Sequence, residues 1–299
     1  MISVIIPTHK RSDLLDLALE SLRQQTFTDF EAVVINDGGR TLATSVSPWR
    51  RHFDVTLVEL PAHSGVSKAR NAGIACAEGD LLAFLDDDDV FLPWHLETAH
   101  KAVTSKAADF VYLGALVADQ RLTALPADTT GMHTKAYAFD PRFLLVANYI
   151  HTGSVVTRNF YKDGARFNEA LTHCEDWDAW LALTHGLGYR AAFVDELTAI
   201  YHQVPRSGGL VASAQLTVPS PFTLARERIQ ARWPSADEQV VAFRGWMTAF
   251  EDHRNQRIRG RLPIPHQMFD AVLRDLHQWF TTGREPDHRL IPGYFEAPL

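Results

Sequence analysis

The sequence predicts an α/β protein, because short apolar strands alternate with helices through its N-terminal third. Strand patterns occur at residues 3–7, 31–37, 55–60 and 81–85. Leucines at helical spacing between Asp13 and Gln25, and small helix-forming residues at 67–78, predict two of the intervening helices. Such close alternation is typical of a largely parallel sheet that is covered by helices.

Composition and charge describe an ordinary globular chain. The 299 residues are 46% hydrophobic and carry a formal net charge of −7, so no nucleic-acid partner is expected. The start MISVIIPT has no charged region before its apolar stretch, which predicts a first strand and not a signal peptide. No apolar stretch is long enough to span a bilayer. The two cysteines, Cys76 and Cys174, have no paired spacing, which favours a reducing, cytoplasmic location.

The later part of the chain gives weaker patterns. Residues 109–119 and 189–195 are predicted strands, 176–186 a helix, and 142–148 either a short helix or a strand. Beyond about residue 216 the pattern becomes helical. Ser235 and Glu238 form a capping-box pair, and an apolar stripe begins at Phe269 and ends near Gly283.

Four consecutive aspartates, Asp86 to Asp89, follow the fourth predicted strand in the segment FLDDDDVFLP. Adjacent carboxylates repel one another, so a positive partner is expected there. In an extended segment Asp86 and Asp88 would share one side, with Asp87 and Asp89 on the other. Two carboxylates on one side suit Mg²⁺ or Mn²⁺ shared with substrate phosphates. A solvated acidic turn is the alternative.

The aspartates share an edge of the sheet with two other polar segments. Pro7-Thr8 and Asn36-Asp37 also lie at the carboxyl ends of predicted strands. In open α/β sheets, ligands bind beyond these ends. The three segments therefore predict one binding site.

Five segments, taken in order, resemble the family 2 glycosyltransferases: SVIIPT with its leucine helix, EAVVINDG, HSGVSKARNAGI, FLDDDDVFLP and CEDWDAWL. The resemblance covers about residues 2–207. It implies the GT-A fold, a Rossmann-like, mostly parallel mixed sheet flanked by helices. It also implies that a glycosyltransferase domain occupies residues 1–215. Residues 1–100 would be its nucleotide-binding half, 101–215 its acceptor and catalytic half, and 216–299 a helical C-terminal extension.

For the nucleobase, the resemblance implies that Asp37 accepts a hydrogen bond from the base. A carboxylate acceptor suits uracil, thymine or guanine, so UDP is expected first, with dTDP and GDP left open and a CMP-linked donor disfavoured. Pro7 and Thr8 would bracket the nucleoside. This chain departs from the family pattern at His9-Lys10, where Tyr-Asn is usual, and at Asn36, which replaces an acid.

For the rest of the donor, the resemblance implies that Arg70 and Asn71 line the pocket. Arg70 could equally be a strut that pairs with the acids. Asp86 or Asp87 would reach the ribose, and Asp88, with Asp86, would hold the divalent metal.

On the acceptor side, the resemblance implies that Asp176 is the general base of an inverting transfer, with Glu175 beside it. A helix-capping role is the alternative. His202 lies where some relatives place a histidine metal ligand, and a buried, hydrogen-bonded core histidine is the alternative there.

Partners and rival functions stay open at this stage. The acceptor is expected to be a glycan, a lipid-linked molecule or a small molecule with a hydroxyl or amine. Residues 243–261 carry five arginines. They suit either a peripheral membrane contact or a solvated helix, and a homodimer through the C-terminal helices is a further hypothesis. The alternative functions are a nucleotide-sugar-binding protein without transferase activity and a haloacid-dehalogenase-like phosphohydrolase.

Overall fold

The structure, a computed structural model of the chain, describes residues 1–204, 217–265 and 268–296. It divides into two compact units, Met1–Phe139 with Ile150–His202, and Asp140–Tyr149 with Gln203–Leu299. The expected boundary at residue 215 stays a prediction, because residues 205–216 lie outside the described ranges. The short segment Asp140–Tyr149, which the sequence placed in the first domain, groups with the second unit.

The first unit is built on one mixed sheet. Its strands are β1 (Ile2–Thr8), β2 (Phe30–Asn36), β3 (Asp54–Glu59), β4 (Leu81–Phe84), β5 (Val90–Phe91), β6 (Phe110–Ala118), β7 (Thr134–Lys135), β8 (Val155–Arg158) and β9 (Ala191–His202). Over the described residues their order is β3-β2-β1-β4-β8-β6-β9-β5, with β7 paired to β6. The strands β3, β2, β1 and β4 are mutually parallel, and β8 runs antiparallel to β4 and β6. The α/β prediction is confirmed.

Helices connect these strands and make up the second unit. They are α1 (Ser12–Arg23), α2 (Ala43–Val46), α3 (Val66–Cys76), α4 (His95–Lys106), α5 (Pro141–Leu144), α6 (Glu175–Leu181), α7 (Pro221–Arg232), α8 (Glu238–Arg259) and α9 (Met268–Thr281). A π-helical turn, Ala182–Gly186, continues α6. Short 3₁₀ helices occupy Ser47–Arg51, Thr152–Ser154, His288–Leu290 and Pro292–Phe295. None of the described helices has both the length and the apolarity needed to cross a bilayer.

The core of the first unit explains why β1 and β2 are continuous apolar runs. Every residue of both strands is buried, as expected for parallel strands that are covered on two faces. Leu15, Leu19 and Leu22 of α1 join them in one apolar cluster. On α3, a Cβ at Gly73 would lie 2.5 Å from Ile35 Cδ1, so any larger residue there would force the buried Ile35 side chain to shift.

The second unit corrects two local expectations. Asp237, and not Ser235, caps α8, since its side chain accepts a hydrogen bond from the Val240 N–H at 3.1 Å. Phe269 begins the predicted apolar stripe of α9, yet its side chain is exposed. The later stripe residues Leu276 and Phe280 are buried as expected.

His95 is a buried histidine held in its neutral form. It is fully buried at the start of α4, stacks on Phe91 with ring centres 3.8 Å apart, and has Nδ1 2.9 Å from Thr198 Oγ1. Burial lowers the pKa of His95 from 6.5 to about 3. Below pH 6.5 the unfolded chain therefore binds a proton at this residue that the folded chain does not.

Replacing His95 by Gln should flatten the loss of stability on acidification. Because the pKa of His95 is lower in the folded than in the unfolded chain, its contribution to the free energy of unfolding is fully present above pH 6.5. It is lost at up to about 1.4 kcal/mol per pH unit as the pH falls towards 3. The measurement is urea unfolding of wild type and His95→Gln between pH 7.5 and 5. The exposed His288→Gln is the control, and equal slopes for wild type and His95→Gln would contradict the prediction.

Candidate active site

The four aspartates form a tight turn directly after β4. The N–H of Asp89 donates to the carbonyl of Asp86 at 3.0 Å, which closes the turn. The segment is therefore a turn and not an extended chain, yet the burial of its side chains still alternates as the sequence analysis expected. Asp87 and Asp89 are buried, whereas Asp86 and Asp88 are partly exposed.

Arg11 supplies one of the positive partners expected beside this turn. Its Nη2 lies 2.5 Å from Asp87 Oδ1 and its Nη1 lies 3.1 Å from Asp88 Oδ2. Thr8 at the end of β1 donates its hydroxyl to Asp87 Oδ2 at 2.6 Å. Burial raises the pKa of Asp87 to about 7, although Arg11 and Thr8 act in the opposite direction. Sequence reasoning missed Arg11, although its place just after a strand neighbouring β4 was an available signal.

Arg70 supplies the other positive partner and links two parts of the site. This buried side chain of α3 reaches Asp86 Oδ1 at 2.7 Å and Glu175 Oε1 at 2.6 Å. Its guanidinium carbon lies 5.4 Å from the centre of the Phe167 ring. Arg70 therefore acts as the strut that the sequence left as an alternative, joining the aspartate turn to the start of α6.

The electrostatics of this bridge are asymmetric. Burial opposes the ionised form of Asp86, but Arg70 outweighs it and holds the pKa of Asp86 below its usual value. Burial raises the pKa of Glu175 to about 7, against the pull of Arg70. Asp86 is thus held as an anion, while Glu175 takes up a proton more readily than an exposed glutamate.

Asp176 has partners different from those of its neighbour Glu175. It lies half-buried in the first turn of α6, where Oδ2 accepts a hydrogen bond from the Thr152 hydroxyl at 2.9 Å. Its Oδ1 accepts from the Trp177 N–H at 2.8 Å. Thr152 orients this carboxylate, and nothing in the local sequence pattern pointed to that residue.

The residues expected near the base and donor are placed as follows. Pro7 is buried within β1, opposite Ile35 of β2. Asp37 accepts the N–H groups of Ser64 and Gly65, at 2.7 and 2.9 Å, one on each carboxylate oxygen. Oδ1 keeps a further lone pair for a ligand, whereas Oδ2 also lies 2.8 Å from His63 Nδ1.

The side chain of Asn71 forms hydrogen bonds to the loop that contains Phe167. Its amide donates to the Phe167 carbonyl at 2.9 Å and accepts the Phe167 N–H at 2.9 Å. A second contact, of 3.0 Å, joins Nδ2 to Glu169 Oε1. Asn71 therefore secures the segment that carries the ring beneath Arg70.

His202 has both ring nitrogens engaged. Nδ1 lies 2.6 Å from the Asp88 carbonyl oxygen, to which it donates, and Nε2 accepts the Leu122 N–H at 3.0 Å. The same Asp88 carbonyl accepts from Arg121 Nη1 at 2.6 Å. Acting as a metal ligand would require His202 to give up one of these bonds, so this geometry favours the core histidine.

Asp89 is buried beneath the turn between two histidines. The His202 backbone N–H donates to its Oδ1 at 2.8 Å, and His151 Nε2 lies 3.3 Å from its Oδ2. Burial raises the pKa of Asp89 well above its usual value and lowers the pKa of His151 to about 4. Asp89 therefore belongs to the core below the site.

Comparison with solved structures identifies the fold. S. aureus TarS 1–349 in complex with UDP-GlcNAc superposes with a TM-score of 0.63 at 18% identity, covering 95% of this chain and 92% of that one. The mannosyltransferase PcManGT from Pyrobaculum calidifontis, in complex with GDP-Man and Mn²⁺, gives 0.58 at 15% identity, covering 98% and 85%. The predicted GT-A fold is confirmed.

Comparison of sequences identifies the class. The uncharacterized glycosyltransferase YwdF of Bacillus subtilis (strain 168) is 30% identical over 204 residues, 67% of this chain and 73% of YwdF. The amylovoran biosynthesis glycosyltransferase AmsE of Erwinia amylovora is 28% identical over 202 residues, 64% and 72% of the two chains. The protein is therefore a glycosyltransferase. Since the model of glycosyl transferase family 2 matches residues 3–165, the chain belongs to that family.

Arg70→Gln should destabilise the protein by about 3 kcal/mol, because it leaves a buried acid and a second acid without their shared cation. Adding Glu175→Gln in the same chain should recover part of this loss, since the uncompensated carboxylate is then removed. The measurement is the free energy of unfolding in urea.

The matched control is Arg23→Gln, which breaks the exposed pair with Glu20. That variant should change stability by less than about 1 kcal/mol. An equally small effect of Arg70→Gln would contradict the structural role of the bridge.

Proposed function

We propose that this glycosyltransferase moves a sugar, with inversion, from a nucleoside diphosphate to a hydroxyl or amine, with Asp176 as the general base. The observation that carries the proposal is the Arg70 bridge, which ties the acidic turn to the helix start that bears Asp176. Donor-side and acceptor-side acids are thereby held together in one site. The nature of the acceptor stays a prediction.

We assign recognition of the donor's nucleobase to Asp37. A carboxylate accepts from uracil, thymine or guanine, and the spare lone pair on Asp37 Oδ1 allows this. The complexes of TarS with UDP and UDP-GlcNAc, and of PcManGT with GDP-Man, support a uridine or guanosine donor. UDP is the first choice, with Pro7 and Thr8 beside the nucleoside and Asp87 supporting Thr8.

The chemistry of the acidic turn suits a divalent ion. The side chains of Asp86 and Asp88 are 31% and 18% exposed. One carboxylate oxygen of each forms an ion pair with an arginine. Within the described residues the second oxygen of each makes no hydrogen bond. Two free carboxylate oxygens at a surface are donors that Mn²⁺ and Mg²⁺ prefer. When bound, the ion supplies charge balance for the departing diphosphate.

Side chains of the protein provide proton transfer and positioning. Asp176 takes the proton from the attacking acceptor group as the bond to the sugar forms, and Thr152 holds its Oδ2 in place. Glu175 acts as a positioning residue through Arg70. His202 and Arg121 fix the backbone of Asp88 and leave its carboxylate to bind the ion.

Asp176→Asn should lower sugar transfer by about 10²- to 10⁴-fold while nucleotide binding is kept, because a carboxamide cannot take the proton. Product formation is followed by mass spectrometry, and UDP binding by calorimetry. The exposed Asp195→Asn serves as the control. Full transfer by Asp176→Asn would remove this residue from the mechanism, and nucleotide binding without turnover in wild type would favour the non-enzymatic alternative.

Removing the metal should weaken donor binding. With EDTA, or in Asp88→Asn, we expect UDP to bind at least about tenfold more weakly than to wild type with Mn²⁺, because the diphosphate loses its bridging cation. Thermal stabilisation by UDP is the measurement, and the exposed Asp119→Asn is the control. Stabilisation that is indifferent to both changes would contradict a metal at the turn.

A further inference from the structure

Three neighbouring strands bring His9, Asp37 and His63 to one corner of the sheet. The strands β1, β2 and β3 are parallel and adjacent, with Thr8 in register with Asn36 and Asn36 in register with Glu59. One ligand atom from each of the three side chains lies within 4.8 Å of the others. This cluster shares no residue with the aspartate turn, and it adds two imidazole nitrogens to a carboxylate.

His9 is held in a tautomer that suits a ligand. Its Nδ1 lies 2.7 Å from the backbone carbonyl oxygen of Asp37, which can only accept, so Nδ1 carries the hydrogen. Nε2 then presents a lone pair, and no hydrogen bond to it is found in the described part of the chain. Metal-binding histidines usually donate their other ring N–H to a carbonyl or carboxylate in this way.

His63 is fixed at its backbone while its side chain is 62% exposed. Gly38 has a φ of +85°, and a Cβ there would lie 2.5 Å from the His63 nitrogen, so the loop is packed tightly on the turn after β2. The hydrogen bonds from Ser64 and Gly65 to Asp37 hold the loop from the other side. His63 Nδ1 lies 2.8 Å from Asp37 Oδ2, and its ring centre is 4.1 Å from that of His9.

We propose that His9, Asp37 and His63 form a binding site for Zn²⁺. Two imidazoles and a carboxylate, with a fourth position open to solvent, are a common donor set for zinc and a poor one for magnesium. Ligand atoms around tetrahedral zinc lie about 3.3 Å apart, given bonds of about 2.0–2.1 Å. The 4.8 Å limit of the present cluster is wider than that, so binding requires the exposed His63 side chain to rotate inwards.

Zinc at this corner competes with the nucleotide. This consequence rests on the proposed function, in which Asp37 accepts the hydrogen bond of the base. Zinc bound to Asp37 and to both imidazoles would occupy the space through which the base approaches this carboxylate. Zn²⁺ is then an inhibitor of donor binding, acting at a site distinct from that of Mn²⁺ or Mg²⁺.

Calorimetric titration with Zn²⁺ alone tests the site directly. Wild type should bind one Zn²⁺ per chain with micromolar affinity, and His9→Gln and His63→Ala should each bind it at least about tenfold more weakly. The exposed His288→Ala should match wild type, and thermal unfolding checks that all variants are folded. Equal zinc affinity in wild type and both site variants, or only millimolar binding in wild type, would overturn the proposal.

Competition between Zn²⁺ and UDP tests the inhibitory role. With Mn²⁺ present, excess Zn²⁺ should weaken UDP binding to wild type at least about tenfold and to His63→Ala less than about twofold. Because His63→Ala keeps the aspartate turn, an equal effect in both proteins would place zinc at the turn and overturn the inhibitory role. If neither UDP nor GDP binds at all, the proposed function fails, and the titration with zinc alone still decides the metal site.

Discussion

The buried guanidinium of Arg70 is the constraint on which the candidate site depends. It contacts Asp86 and Glu175 simultaneously. The aspartate turn and the first turn of α6 therefore cannot move apart without leaving a buried charge unpaired or exposing it to solvent. A bidentate, permanently charged group suits this bridge better than lysine, whose single ammonium cannot span two carboxylates in fixed directions. Phe167 closes the remaining face of the guanidinium.

Four adjacent aspartates are tolerated because they are not equivalent. Arg70 keeps the pKa of Asp86 low, whereas burial raises the pKa of Asp87 to about 7 and that of Asp89 well above its usual value. Arg11 then faces Asp87 and Asp88 together. Burial therefore favours the neutral form of Asp87 and Asp89, and the carboxylates that reach the surface are those of Asp86 and Asp88.

Local patterns predicted β1 to β4, β6 and the start of β9, because buried apolar runs such as β1, β2 and β4 have few other structures open to them. They did not predict the short strands β5, β7 and β8 or the helix α4. They could not predict the Asp86–Asp89 turn, since repulsion between carboxylates depends on which cations arrive from elsewhere. Arg11 and Thr152 were missed for the same reason: their partners lie 76 and 24 residues away in sequence. The family resemblance supplied Asp37, Arg70 and Asp176, but the strut geometry of Arg70 needed the tertiary structure.

The backbone of Asp88 is anchored independently of its side chain. Arg121 and His202 both donate to its carbonyl oxygen, while the carboxylate alone contacts Arg11. The carboxylate of Asp88 can therefore reorient by rotation about its side-chain bonds while its backbone stays anchored. Side-chain rotation, which takes picoseconds to nanoseconds for exposed residues, is thus the motion by which the turn would adapt to the proposed ion.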